Sequence, residues 1–137
     1  MKTYLAFDIG GTKLKYALIN NQGQMLKKYS EDTVKTSQAD FLNRFNEIIQ
    51  NFQTQISGIG ISVPGKVDTK NQKISFGGSL PFLDGVSFND SLDTQLPIFV
   101  ENDAKSATLA EMWQGSLSNI SNGVMLVLGT AIGSGIV

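Results

Sequence analysis

The sequence predicts an α/β fold built on a mixed sheet, and three observations predict it. Apolar runs at the N-terminus are spaced for hairpins, an amphipathic helical pattern follows them, and a buried-strand pattern comes directly after the helix. Tyr4-Leu5-Ala6-Phe7 is a short apolar run closed by Asp8-Ile9-Gly10-Gly11-Thr12-Lys13. Residues 14–19 then alternate before Asn20-Asn21-Gln22-Gly23, and residues 25–29 resume the pattern. Three strands joined by two tight turns account for this, the second turn carrying the Asn and Gly that hairpins favour. Phe41, Leu42, Phe45, Ile48, Ile49 and Phe52 recur at three- and four-residue intervals, which predicts a helix opening near Ser37 or Asp40. Its apolar stripe requires a sheet to cover. Residues 56–63 supply a strand in which Ile59, Ile61 and Val63 alternate with small residues.

From residue 64 to 85 the text reads as loop, punctuated by Pro64-Gly65, Asn71-Gln72 and Gly77-Gly78, with short strand candidates at 66–67 and 73–76. Residues 97–100 read as a further strand. Glu101-Asn102-Asp103 opens a helix whose Ala104, Ala107, Ala110 and Trp113 fall on adjacent turns, a face that permits close approach. Residues 123–128 form one more strand, broken by Gly129-Thr130-Ala131-Ile132-Gly133-Ser134-Gly135 and resumed at Ile136. Three hairpin strands, a crossover helix and further strands give a mixed five-stranded sheet with flanking helices, in ribonuclease-H-like order.

Composition limits the chemistry. The 137 residues hold 41% hydrophobic and 17% charged positions, enough for a core. The formal net charge of −1 offers no field to draw nucleic acid or an anionic membrane. With no Cys and no His, this chain alone builds no disulfide, imidazole base or zinc site. No signal peptide or apolar stretch of membrane-spanning length is read, so a cytoplasmic location is expected.

The turn Asp8-Ile9-Gly10-Gly11-Thr12-Lys13 joins two strands, so it is neither a P-loop nor a dinucleotide fingerprint, both of which open a helix. A Gly-Gly hairpin can still aim successive N–H groups at one anion, with Thr12 adding a hydroxyl, Lys13 a cation and Asp8 a carboxylate for hydrated Mg2+. A tight turn in which Asp8 bonds its own loop is the plainer alternative. The second turn, residues 129–135, repeats the design, and a triphosphate is long enough to be gripped from two sides. Asn102 and Asp103 stand between strand and helix, where such residues most often cap. If the Asp103 carboxylate faces a cleft, partial burial would suit it to accept a hydroxyl proton, with Asn102 holding the same substrate.

Four motifs together, Asp8 to Lys13, Pro64-Gly65, Glu101-Asn102-Asp103-Ala104 and Leu128 to Gly135, resemble the successive signatures of the ROK family of bacterial sugar kinases and sugar-responsive repressors. The resemblance implies an actin-like ATPase or sugar-kinase lobe, ATP with Mg2+ as donor, and phosphorylation of a hexose or hexose derivative, usually at the 6-hydroxyl. It implies that Ala6, Phe7, Asp8, Ile9, Gly10, Gly11, Thr12 and Lys13 contact the nucleotide, together with Leu128, Gly129, Thr130, Ala131, Ile132, Gly133, Ser134 and Gly135. Asp103 would be the general base, and Gly65, Ser79 and Asn102 would seat the sugar. Ser79 and Ala131 depart from the family's usual Asn and Gly.

Residues 1–118 would form the first lobe and 119–137 the start of a second. The family's members are about twice as long, so a zinc site and the adenosine pocket are expected only outside this chain, which alone should turn over little. A homodimer is expected, with neither nucleic acid nor membrane as partner. The alternatives are a ROK-type transcriptional regulator and a non-catalytic sugar- or nucleotide-sensing module.

Overall fold

The computed structural model describes residues 1–128 and 132–137. Strands β1 (Thr3–Ile9), β2 (Lys13–Asn20) and β3 (Met25–Asp32) form an antiparallel meander. The β2–β3 turn is built by Asn20, whose buried Oδ1 accepts from the backbone N–H groups of Gln22 (3.0 Å) and Gln24 (2.9 Å), while Gly23 takes φ +80°. Helix α1 (Gln38–Phe52) starts where Ser37 Oγ accepts from the Asp40 N–H at 3.0 Å, so Ser37 is the cap and Asp40 lies in the first turn. The chain then returns as β4 (Ile59–Val63), parallel to β1, and later as β7 (Ile98–Asn102), parallel to β4. The sheet order is β3-β2-β1-β4-β7, the mixed five-stranded sheet the sequence predicts.

One face of this sheet carries the core. Leu5, Phe7 and Ile9 of β1, Leu14 and Leu18 of β2, and Ile59, Ile61 and Val63 of β4 meet Phe41, Phe45, Ile48 and Ile49 of α1. Phe7 stacks on Phe45 with centroids 4.2 Å apart, and Phe45 stacks on Phe88 at 5.6 Å. Each of these buried side chains contributes about 1.5–3 kcal/mol by apolar transfer. Arg44 of α1 ties the helix to β3 through a bidentate pair with Glu31, at 2.7 and 2.8 Å.

Between β4 and β7 lie the hairpin β5 (Lys66–Asp68) and β6 (Lys73–Phe76), a 3-10 turn at Pro81–Leu83, and the single-turn helix α2 (Phe88–Ser91). Leu80, Leu83, Val86, Phe88 and Leu92 close the end of the core. Gln72, at φ +53°, accepts the Val100 N–H on its Oε1 at 2.6 Å, which satisfies a donor on edge strand β7 and fastens the hairpin to the sheet. Helix α3 (Asp103–Gln114) follows β7 without a loop, and β8 (Val124–Leu128) pairs with β9 (Ile132–Ile136) as a separate antiparallel ribbon.

Three elements differ from the sequence expectation. β4 begins at Ile59 rather than 56, because the Leu5 N–H pairs with the Gly58 carbonyl and only from there does the parallel register run. β3 continues to Asp32, held by β2. The face of α3 that packs is Ala104 and Thr108, not the full alanine row: Ala110 and Trp113 are exposed. Ala104 and Thr108 meet the ribbon at Gly133 and Gly135, where any Cβ would overlap them, and the Thr108 hydroxyl is satisfied by the Ala104 carbonyl at 2.8 Å. The ribbon's outer face is left apolar, with Val124, Leu126, Leu128, Ile132 and Ile136 each 64–79% exposed.

Candidate functional site

The C-terminal ends of β1, β4 and β7 open onto a crevice of about 670 Å³. Its walls come from five separate pieces of chain: the β1–β2 turn (Ile9, Gly10, Gly11), the β4–β5 junction (Pro64, Gly65, Lys66, Val67), the loop at Gly78 and Ser79, the start of α3 (Asn102, Asp103, Ala104, Lys105), and the ribbon (Val127, Ile132, Gly133, Ser134). Parallel strands place their carboxyl ends on one side of a sheet, and a crevice there is where α/β folds bind ligands.

Local chemistry holds the lining in place. Asn102 Oδ1 accepts from the N–H groups of Ala104 (3.0 Å) and Lys105 (3.2 Å), capping α3, and its Nδ2 donates to the Gly65 carbonyl at 2.5 Å. Both lone-pair positions of Oδ1 are thereby used, and one Nδ2 hydrogen is left for a ligand. Gly65 sits at φ +87°, and a side chain there would overlap the Phe76 carbonyl and approach the Gly78 N–H to 2.7 Å. Only glycine fits where β4 turns back against residues 77–78. Asp84 accepts the Gly77 N–H at 2.5 Å and fixes the loop that carries Ser79. Across the crevice, Ser79 Oγ lies 3.3 Å from where a Cβ on Gly11 would stand, so the first glycine turn and the Ser79 loop nearly touch.

Of the residues singled out in the sequence, the structure brings Ile9, Gly10, Gly11, Gly65, Ser79, Asn102, Asp103, Ile132, Gly133 and Ser134 to this one crevice. Others go elsewhere. Ala6 and Asp8 point to the opposite face of the sheet, into a groove of about 590 Å³ shared with Lys15, Ala17 and Lys28, and Asp8 accepts from Ser62 Oγ at 3.1 Å. Phe7 lines this groove as well, yet its ring is in the core against Phe45. Lys13 pairs with Asp32 across β2 and β3 at 2.5 Å, and Thr12, next to it, is exposed with its carbonyl accepting the Thr33 N–H; neither lines the crevice. Leu128 faces outward, and Gly135 serves the packing of Thr108. Gly129, Thr130 and Ala131 lie outside the described residues.

Asp103 does line the crevice, but without the partial burial that would accompany a cleft-facing carboxylate. It is the first residue of α3 and exposed at the crevice mouth, with Oδ1 bonded to the Ala104 N–H at 2.8 Å. Sequence reasoning passed over Lys66, Lys105 and Asp84. The two lysines immediately follow Pro64-Gly65 and Asp103-Ala104, so adjacency to a motif could have drawn them out, whereas nothing in the text marks Asp84 as the anchor of a loop seven residues back.

Comparison with known proteins shows the family to which the chain belongs. The family described as "ROK family" matches residues 4–137. A β-glucoside kinase of Listeria monocytogenes is 35% identical over 133 residues, covering 96% of this chain and 45% of its own length. A glucokinase of Thermotoga maritima is 33% identical over 138 residues, covering 97% of this chain and 44% of that protein. Among solved structures, a ROK family protein from Streptococcus pneumoniae in complex with sucrose superposes with a TM-score of 0.86 at 32% identity, over 98% of this chain and 45% of that one. The chain thus spans less than half the length of each of these three relatives.

Proposed function

The chain belongs to the ROK family, and from that premise we propose that the whole protein transfers the γ-phosphoryl group of ATP to a hydroxyl of a hexose or hexose derivative, the 6-hydroxyl in the first instance. The observation that carries this reading is the convergence of the Gly10-Gly11 turn, Asp103 and residues Gly133 and Ser134 of β9 on one crevice. Residues 1–118 then form the first lobe and 119–137 begin a second, in keeping with the ribbon's separation from the five-stranded sheet. The proposed setting is cytoplasmic, and no helix among the described residues is long and apolar enough to cross a membrane. The apolar outer face of the ribbon is where the rest of the protein or a second copy would pack, which accords with a homodimer.

In the mechanism, the sugar is seated by the free Nδ2 hydrogen of Asn102, the Gly65 backbone and Ser79 Oγ. The hydroxyl oxygen attacks the γ-phosphorus while its proton passes to the Asp103 carboxylate. The bond to the β–γ bridging oxygen breaks, and its electron pair departs on ADP. The Gly10 N–H is used by the Lys13 carbonyl at 2.9 Å, which leaves the Gly11 N–H of that turn to neutralise developing charge, with Gly133 and Ser134 of β9 on the facing wall. Mg2+ would supply further charge neutralisation; among the described residues no cluster of three His, Cys, Asp or Glu exists to hold it, and Asp8, the expected water-mediated ligand, faces the groove on the other side of the sheet, so phosphate oxygens and water would be the ion's main ligands.

Asp103→Asn in the full-length protein tests the assignment. Sugar-dependent ADP formation should fall about 1,000-fold with the sugar dissociation constant nearly unchanged. Turnover within tenfold of the parent, or ATP hydrolysis indifferent to every hexose and N-acetylhexosamine tried, would refute it.

A further inference from the structure

We propose that Lys105, assisted by Lys66, is the cation of the crevice that binds the phosphoryl group in transit. This rests on the phosphotransfer reading above and adds to it a role for two residues outside the four motifs. The glycine-turn lysine, Lys13, was the natural candidate for that charge, but it is engaged with Asp32 on the far side of the turn and does not line the crevice. The only lysines that do are Lys66 and Lys105, and among the described residues neither forms an ion pair.

Their positions suit the task. Lys105 is the third residue of α3, two beyond Asp103, and Lys66 stands directly after Gly65 at the start of β5. The two approach one space from different walls, with the Gly10-Gly11 turn and Gly133-Ser134 of β9 beside them. A lysine in the first turn of a helix opposes the helix dipole and is unfavourable there, so folding alone does not account for Lys105. An anion in the crevice reverses that sign: it is attracted by the helix N-terminus and by the lysine together. Asp103 beside it must accept a proton while phosphate oxygens approach, and a neighbouring cation relieves the repulsion between the two negative groups.

The chemistry recognised is a phosphoryl group, which could belong to the nucleotide or to an acceptor already phosphorylated; the adjoining glycine turns favour the nucleotide. The test uses the full-length protein with an uncharged sugar as acceptor. Lys105→Met should lower kcat/KM for ATP about 100-fold. It should weaken inhibition by inorganic triphosphate and leave the KM for sugar within about twofold, and Lys105→Arg should restore most of the loss. Lys66→Met should show the same pattern with smaller amplitude. Thermal stability of Lys105→Met should be equal to or above the parent's, since the dipole conflict is removed, which separates the role from a structural one. Unchanged kcat/KM for ATP and unchanged triphosphate inhibition would overturn the proposal, as would a defect confined to the sugar KM or one seen only with a phosphorylated acceptor. If Asp103→Asn abolishes turnover while Lys105→Met does nothing, this inference alone fails; if Asp103→Asn remains active, the phosphotransfer reading fails first.

Discussion

Asn102 makes two bonds of different kinds, and substitution can take them apart. Its Oδ1 caps α3 by accepting from the Ala104 and Lys105 N–H groups, while its Nδ2 reaches across to the Gly65 carbonyl at 2.5 Å. Asn102→Ala removes both. Loss of an N-cap costs about 1 kcal/mol, and loss of one part-buried hydrogen bond about another, giving a total near 2 kcal/mol. For a chain of this size each kcal/mol corresponds to about 3–5 °C in Tm, so a drop of about 6–10 °C is expected. Asn102→Asp keeps the cap, because a carboxylate oxygen accepts as well as an amide oxygen, but it has no hydrogen to give Gly65. It should cost about 1 kcal/mol, half of the alanine effect. Urea unfolding of the purified chain followed by circular dichroism, with the m-value held as a check on two-state behaviour, measures both. If Asn102→Asp keeps the parent's stability to within about 0.3 kcal/mol, the Gly65 bond contributes nothing of its own and the account of how α3 is coupled to the β4–β5 junction is wrong; equal losses in the two variants would instead remove the cap from the account.

Three further substitutions follow from the structure. Gly65→Ala forces a side chain into φ +87° and against backbone atoms of residues 76–78, and should cost more than about 2 kcal/mol in urea unfolding. Gly60→Ala in β4 is its matched control: no atom lies within 4 Å of the new methyl, so stability should stay within about 1 kcal/mol of the parent or rise. Glu31→Gln addresses pH. The hydrogen bond from Arg44 holds the Glu31 carboxyl below its ordinary value of 4.5, against opposing burial. That stabilisation is therefore complete above about pH 4.5 and is lost as pH falls through the lowered folded value, so the variant should be less stable at pH 7 and show a shallower fall in Tm between pH 5 and 3. An identical acid limb in both proteins would remove this pair from the acid sensitivity.

Legibility in the sequence followed the length of the pattern. Phe41, Phe45, Ile48 and Ile49 repeat over more than two helical turns and announce α1 without ambiguity, and Ile59, Ile61 and Val63 do the same for β4. The hairpin β5–β6 was also readable, from short runs set between Pro64-Gly65 and Gly77-Gly78. The region from Leu80 to Leu92 was not, because five buried apolar residues are spread over a 3-10 turn and one turn of helix, too little of either for a period to emerge. Hydropathy misled on α3: Thr108 is polar by type yet buried, its hydroxyl satisfied by its own helix, while Trp113 is apolar and exposed. The site was legible as motifs but not as directions. Asp8 and Ile9 are adjacent in the text, and strand alternation sends the Asp8 side chain to the groove on the opposite face while Ile9 and the turn after it go to the crevice.

The meander β1–β2–β3 joins neighbours in the chain, whereas β1 meets β4 and β4 meets β7 only across spans of roughly forty residues or more. Local pairs close quickly, and distant parallel ones wait for the loop entropy between them to be overcome. A crevice assembled from residue 10, residue 65, residue 79, residue 102 and residue 133 is consequently expected to take shape last and to dissolve first. A partly opened molecule would keep its hairpins and its amide protection there while having already surrendered its capacity to hold a ligand.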